Sequence, residues 1–175
     1  MPVREDEIEE VDGLSDTALR EAIRTHSAGN SLGFMLWHAS LRWQRTMDAV
    51  LSTLGLTHAQ FHMLATVWWL SREGAVPNQR HVAEHAGMGE VMASQVLRSL
   101  QKNELIVRST HPDDARAMAL SVTARGKELA ERAVAAVDEV EREFFDQVDG
   151  TDDLLEKLRL LAGRTAAGDA QERRS

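Results

Sequence analysis

Apolar positions along this chain fall mostly at helical spacing, but between positions 87 and 123 the period changes. Ala93, Val96, Leu97 and Leu100 recur at the i, i+3, i+4, i+7 spacing of one buried helix face. At about 100° per residue the opposite face carries Val91, Gln95, Arg98 and Lys102, with Ser94 and Ser99 on the flanks. Leu105-Ile106-Val107 is then a strand-favouring run, positions 109–115 are polar with a proline, and Met118 to Val122 returns with alternating character, which predicts a hairpin. A helix with a hydrogen-bonding outer face, followed by a charged hairpin, is the plan of a winged helix-turn-helix, and it points to DNA.

The rest of the chain reads as what carries and controls this piece. Residues 1–13 are acidic and poor in apolar groups, so disorder is expected there. Ser15 can cap a short helix over Asp16–Thr25 with a weak Leu19, Ala22, Ile23 stripe, broken by Gly29-Asn30. From Ser31 to Leu54 the residues Leu32, Leu36, Ala39, Trp43, Met47, Val50 and Leu54 form a near-heptad stripe, with Phe34, Trp37, Leu41 and Leu51 off it. A helix apolar on more than one side needs two partners, here its own domain and a second subunit. The alternative is the central helix of a monomer's core.

Gly55 suits a helix C-terminus, and Thr57-His58-Ala59-Gln60 fits a capping box. The helix it opens runs to about Arg72, with Phe61, Leu64, Ala65, Trp68 and Trp69 at helical spacing and Gly74 ending it. Asn78 can cap a short helix over Gln79–Ala86 that buries Val82, Ala83 and Ala86, and the glycines at 87 and 89 make the turn. Thr123 can cap a long helix from Ala124 to about Gln147, with Leu129, Ala133, Ala136, Val137, Val140, Phe144 and Val148 apolar. Asp149-Gly150 breaks it, and Thr151 is read as the cap of a last helix carrying Leu154, Leu155, Leu158, Leu160 and Leu161. The expected fold is mainly α, a winged helix-turn-helix with a two-stranded β wing and an N- and C-terminal helical dimerisation region. Its parts would be an acidic extension (1–30), a dimerisation helix (31–54), a DNA-binding lobe (55–123), C-terminal dimerisation helices (124–166) and a disordered tail (167–175).

The formal net charge of −8 at first opposes DNA binding. Its distribution removes the conflict. Residues 1–30 hold 3 basic against 8 acidic residues and residues 127–175 hold 8 against 13, whereas 31–54 hold 2 against 1 and 55–126 hold 7 against 6. The acid lies at the ends, and the lobe is close to neutral. Phosphate contact needs local cations more than a basic total, so modest non-specific affinity is expected. The chain has no Cys, which excludes disulfides, thiolate metal sites and thiol redox sensing. It also has no apolar run of about 18 residues and no basic, apolar N-terminus, so a cytoplasmic location is expected.

On the outer helix face, Gln95 can bond bidentately to adenine, Ser94 can donate or accept, and Arg98 can reach guanine or a phosphate. Val91 or Met92 can touch a thymine methyl, and Glu90 either faces away or accepts from a cytosine amine. A solvated helix face is the alternative for each, and Arg98 could instead pair with carboxylates on the Glu90 side. Lys102 lies too far along for bases.

Three stretches resemble the MarR family of bacterial transcription regulators. GLTHAQFHMLATVW (Gly55–Trp68) is similar to the family's GLT-x-x-Q segment, MASQVLRSLQKNELIVR (Met92–Arg108) to its recognition helix and following strand, and HPDDARAMALSVTARGKEL (His111–Leu129) to its wing. The wing core here is Pro112, Asp114, Arg116 and Ala117, then Val122, Thr123 and Gly126. The resemblance covers roughly residues 31–162 and implies a homodimer in which each lobe reads one half-site of an inverted repeat. It further implies that Arg116 enters the minor groove, oriented by Asp114, with a surface ion pair of little energetic meaning as the alternative, and that a small aromatic or phenolic molecule binds between the lobes and releases DNA. Arg108 and Arg125 are candidates for phosphate contact. One departure is Glu104, where the family usually has Gly; the expectation is that Asn103 takes the left-handed backbone role instead.

Trp37, His38, Arg42, His58 and His62 fall on the faces that, by resemblance, line the effector pocket, and such a set suits an aromatic carboxylate or phenol. A dimer core with satisfied histidines is the alternative. His58/His62 and His81/His85 are i, i+4 pairs, a spacing that can hold a metal, though the second has only Glu84 nearby and a solvated face is its favoured reading. No metal or cofactor is expected, and no catalytic motif such as G-x-S-x-G, H-E-x-x-H or a P-loop occurs, so an enzyme is disfavoured. Two classes remain: a DNA-binding regulator, by expectation a repressor, and the same fold used as a protein-interaction module with marginal DNA binding.

Overall fold

The computed structural model describes residues 15–27, 29, 31–72, 76–110 and 118–163. The elements are α1 (Asp16–Ser27), α2 (Leu32–Thr53), α3 (His58–Arg72), α4 (Gln79–His85), α5 (Glu90–Lys102), β1 (Ile106–Thr110), β2 (Met118–Val122), α6 (Ala124–Phe145) and α7 (Thr151–Leu161). No helix among the described residues is long and apolar enough to cross a membrane. The chain divides into two compact units, Met1–Gln44 and Arg45–Ser175. The expectations of disorder at both ends, and the break at Gly74, lie outside the described residues.

The first unit holds α1 and the start of α2. Ser15 Oγ accepts from the Ala18 amide at 3.2 Å, the cap expected for α1. The helix runs two residues further than its stripe indicates, and Gly29, at φ +66°, follows it. Leu32, Phe34, Met35, Leu36 and Trp37 of α2 are all exposed.

In the second unit, Met47 and Leu51 of α2 are fully buried. The hub is α3, which packs against α4, α5, α6 and β2. Its start is the expected capping box: the Gln60 amide meets Thr57 Oγ1 at 3.2 Å, and Gln60 Oε1 accepts from the Thr57 amide at 2.9 Å. Met63, Leu64, Val67 and Leu70 of α3 meet Val82, Ala93, Leu97, Leu100, Ile106 and Leu120 in a core at most 2% exposed. Each large aliphatic buried this way contributes about 1.5–3 kcal/mol. Trp68 and Trp69 are only half-buried, so the buried side of α3 is set by Met63 and Val67 rather than by the tryptophans.

β1 and β2 pair antiparallel, with Ile106 opposite Val122 and Thr110 opposite Met118. Ser109 and Thr110 are therefore strand residues, not loop as their polarity suggests, because ladder bonds to Ala119 and Met118 outweigh side-chain preference. Residues before α4 add a short third piece: Asn78 bridges to Ala119, and the Pro77 carbonyl accepts from the Leu120 amide at 2.8 Å. Proline suits this edge, where only its carbonyl is needed.

The turn between α5 and β1 corrects one expectation. Glu104, not Asn103, takes the left-handed conformation, with φ +58° against −85° at Asn103. The Glu104 amide bonds to the Gln101 carbonyl and the Leu105 amide to the Leu100 carbonyl, both at 3.0 Å, a Schellman closure. Buried Leu100 and Leu105 fix that register, so the positive φ falls on residue 104 whatever its side chain. The strain costs on the order of 1 kcal/mol, and glycine would return part of it as unfolded-state entropy. Glu104→Gly is expected to stabilise by about 0.5 kcal/mol, read by denaturant unfolding. A loss of stability would mean that the glutamate side chain contributes something the backbone does not reveal.

Thr123 caps α6 as expected, accepting from the Gly126 amide at 2.9 Å. In α6, Gly126, Ala130, Ala133 and Val137 are buried, while Leu129, Ala136, Val140 and Phe144 are half-buried and Val148 is exposed. A second correction concerns α7. Its N-cap is Gly150, at φ +73° and without a side-chain bond, and Thr151 is already helical. The left-handed Gly150 completes the chain reversal one residue earlier, and Asp152 and Asp153 complement the helix dipole in place of a hydroxyl cap. No residue of α7 is buried, and Leu160 and Leu161 are 73% and 75% exposed.

α6 and α7 enclose a groove of about 410 Å³ that includes Glu141, Phe145, Leu154 and Leu158. Partial burial beside the groove, and then the charge of Asp138, push the Glu141 carboxyl above its ordinary range. A raised folded-state pKa contributes stability below the unfolded value and loses it as pH rises through the folded one. Glu141→Gln is therefore expected to raise Tm at pH 7 but not at pH 4. An equal gain at both pH values would remove ionisation as the cause.

Candidate nucleic-acid interface

The helix-turn-helix is built locally. Asn78 Oδ1 accepts from the His81 amide at 2.9 Å and opens α4. Gly87, at φ +64°, turns the chain, and the Met88 amide reaches back to the Ala83 carbonyl at 2.9 Å. α5 then starts behind Gly89 with no side-chain cap. Its first amides are thus left for solvent or an approaching phosphate. Glu90 occupies that first turn and opposes an anion there. Nearby Arg80 bonds to Glu84 at 2.8 Å, and its guanidinium is held above its ordinary range by that bond and by the charges of Glu84 and Glu90.

With Ala93, Leu97 and Leu100 buried, α5 turns its other side out. Val91 is 76% and Met92 51% exposed; Gln95, Arg98 and Lys102 are exposed, and Ser94 is half-buried. No ion pair holds Arg98 among the described residues, so pairing on the Glu90 side is not its arrangement. This face carries two cations, one amide and two apolar groups, which suits hydrogen-bonded and methyl contacts better than bulk attraction.

Arg108 does not simply project outward. It is half-buried at the base of the wing, its guanidinium 3.4 Å from Gln79 Oε1, and its buried Nε has no partner among the described residues. It shares a shallow groove of about 350 Å³ with Asn78, Arg80, Glu90 and Met118. Arg125 is exposed and lines a second groove with Lys102 and Glu104, so Lys102, set aside in the sequence as too distant for bases, joins Arg125 as a second cation. Asp114 and Arg116 lie outside the described residues.

Trp37, His38 and Arg42 belong to the first unit and are all exposed; the His38 ring packs on Phe34 with centroids 4.3 Å apart. His58 and His62 belong to the second unit, where their Nε2 atoms stand 3.1 Å apart. Burial, and then His58, lower the pKa of His62 from its ordinary value. The other pair is arranged differently, since the His85 ring packs on Trp69 at 5.3 Å.

One contact had no sequence signal. Gln60 Nε2 donates to Ser99 Oγ at 2.9 Å, joining the first turn of α3 to the last turn of α5. The capping motif accounts for Gln60 locally, and nothing in a 39-residue separation announces its second partner.

The MarR family model matches residues 56–118. The chain is 35% identical over 115 residues to the HTH-type transcriptional regulator YdcH of Bacillus subtilis (strain 168), covering 66% of this chain and 78% of that one. It is 31% identical over 106 residues to the HTH-type transcriptional repressor Rv2887 of Mycobacterium tuberculosis, covering 61% and 73%. Among solved structures, CouR from Rhodococcus jostii RHA1 bound to p-coumaroyl-CoA superposes with a TM-score of 0.69 at 23% identity, over 78% of this chain and 95% of that one. The repressor CouR bound to a 23-mer DNA duplex gives 0.66 at 25% identity, over 79% and 95%.

Proposed function

We propose that this chain, which belongs to the MarR family, is a cytoplasmic repressor that binds an inverted-repeat operator as a homodimer. The observation that carries the reading is the outer face of α5, where Val91, Gln95 and Arg98 are exposed above the buried Ala93, Leu97 and Leu100. A helix presenting such a face fits the major groove. In this reading Gln95 and Ser94 read base edges, Val91 and Met92 meet thymine methyls, and Arg98 contacts guanine or phosphate. Arg108 and Arg125 would contact the backbone, and Arg116, oriented by Asp114, would grip the minor groove. Repression is supported by the relatives, two of which are named repressors.

Dimerisation is supported by apolar surface that one chain leaves uncovered: Leu32, Leu36 and Trp37 in the first unit, and Leu155, Leu160 and Leu161 on α7 in the second. A small aromatic or phenolic effector is also proposed, with Trp37, His38 and Arg42 of the first unit and, taken separately, His58 and His62 of the second as its candidate contacts. Gel shifts on the region upstream of the chain's own gene, at low and physiological salt, test the reading. Half-site centres about one helical turn apart are expected. No sequence-selective shift at either salt would leave the protein-interaction module, which exposed Glu90 and the near-neutral lobe favour.

A further inference from the structure

We propose that His58 and His62 form a two-nitrogen clamp for one borderline transition-metal ion, such as Cu(II), Ni(II) or Zn(II). The two residues are one helical turn apart on α3, so their side chains rise from the same face. Many such pairs never meet; this pair does. Its Nε2 atoms are 3.1 Å apart, while the ring centroids are 4.8 Å apart with the planes 29° from parallel. The rings therefore lean toward each other at their nitrogen edges. Two nitrogens bound ~2.05 Å from one ion stand ~2.9 Å apart at a right angle and ~3.3 Å apart at the tetrahedral angle. The observed 3.1 Å lies between these limits. As it stands, the contact needs one nitrogen to donate a proton and the other to accept it. A metal ion takes the place of that shared proton.

His81 and His85 have the same spacing and serve as the internal contrast, since the His85 ring lies against Trp69. No third His, Cys, Asp or Glu completes a metal-holding group with His58 and His62 among the described residues. Two protein donors leave positions open to water or to an oxygen ligand such as a carboxylate or phenolate. Imidazole nitrogen selects Cu, Ni and Zn over Mg or Ca. The clamp does not depend on DNA binding, and its test does not use DNA.

The test is titration of the full chain, freed of chelators, with Cu(II), followed by calorimetry and electron paramagnetic resonance. One ion per chain is expected at micromolar concentration, with hyperfine splitting from two nitrogens. His58→Gln and His62→Gln should each weaken binding at least tenfold, and His81→Gln should leave it unchanged. The proposal is overturned if the wild-type spectrum shows other than two imidazole nitrogens, or if no saturable binding occurs. It is also overturned if His58→Gln and His62→Gln bind as the wild type does, or if His81→Gln loses the ion. The nitrogen count on the unmutated protein decides the matter even if a variant folds poorly.

Discussion

Gly126→Ala is expected to destabilise the second unit by about 3 kcal/mol, lowering Tm by roughly 10 °C. Alanine inside a helix is ordinarily better than glycine by about 1 kcal/mol, so the expected sign is opposite to propensity. The cause is steric. A Cβ at position 126 would lie 1.8 Å from the Leu105 carbonyl oxygen and 2.8 Å from its carbon, both backbone atoms. That oxygen cannot retreat easily, because it accepts from the Thr123 amide at 3.0 Å and lies 3.3 Å from Thr123 Oγ1. Thr123 Oγ1 also donates to the Glu104 carbonyl at 2.7 Å. The added methyl must therefore pry α6 from the start of β1, breaking several bonds together. Denaturant and thermal unfolding measure it; a variant as stable as the wild type would show that α6 does not press on Leu105 this closely.

Gln95→Ala should have the largest effect on recognition. A bidentate amide contact to adenine discriminates by about 1–3 kcal/mol, so affinity for the operator should fall roughly 5- to 150-fold while binding to scrambled duplex stays the same. Arg116→Ala should instead weaken every duplex and reduce the slope of log affinity against log salt by about one. Fluorescence anisotropy on operator and scrambled DNA at several salt concentrations separates the two. Parallel losses in both variants would refute the division between a reading helix and a gripping wing.

How far the sequence carried the fold depends on the range of the interactions involved. The Thr57–Gln60 box, the Asn78 and Thr123 caps and the α5 faces were legible because a side chain and its partner lie within one or two turns. The strand identity of Ser109 and Thr110 was not, since the ladder opposite decides it. Nor was the left-handed Glu104, whose position is dictated by the burial of Leu100 and Leu105 rather than by its own chemistry. At the candidate site, exposure of Val91, Gln95 and Arg98 followed from helical period. The half-burial of Arg108 against Gln79 did not, because it depends on where the wing folds back beside α4.

The Gln60 side chain is committed at both ends, its oxygen to the Thr57 amide and its nitrogen to Ser99 Oγ. Its consequence is evolutionary. A leucine at 60 would lose both bonds, whereas a glutamate could keep the cap and accept from the serine hydroxyl instead. An alanine at 99 would strand the amide nitrogen in a partly buried place. Descendants of this sequence should therefore not drift independently at these two positions. Substitutions at 60 and 99 are expected to be inherited together, linking the α3 capping motif to the end of α5 across generations.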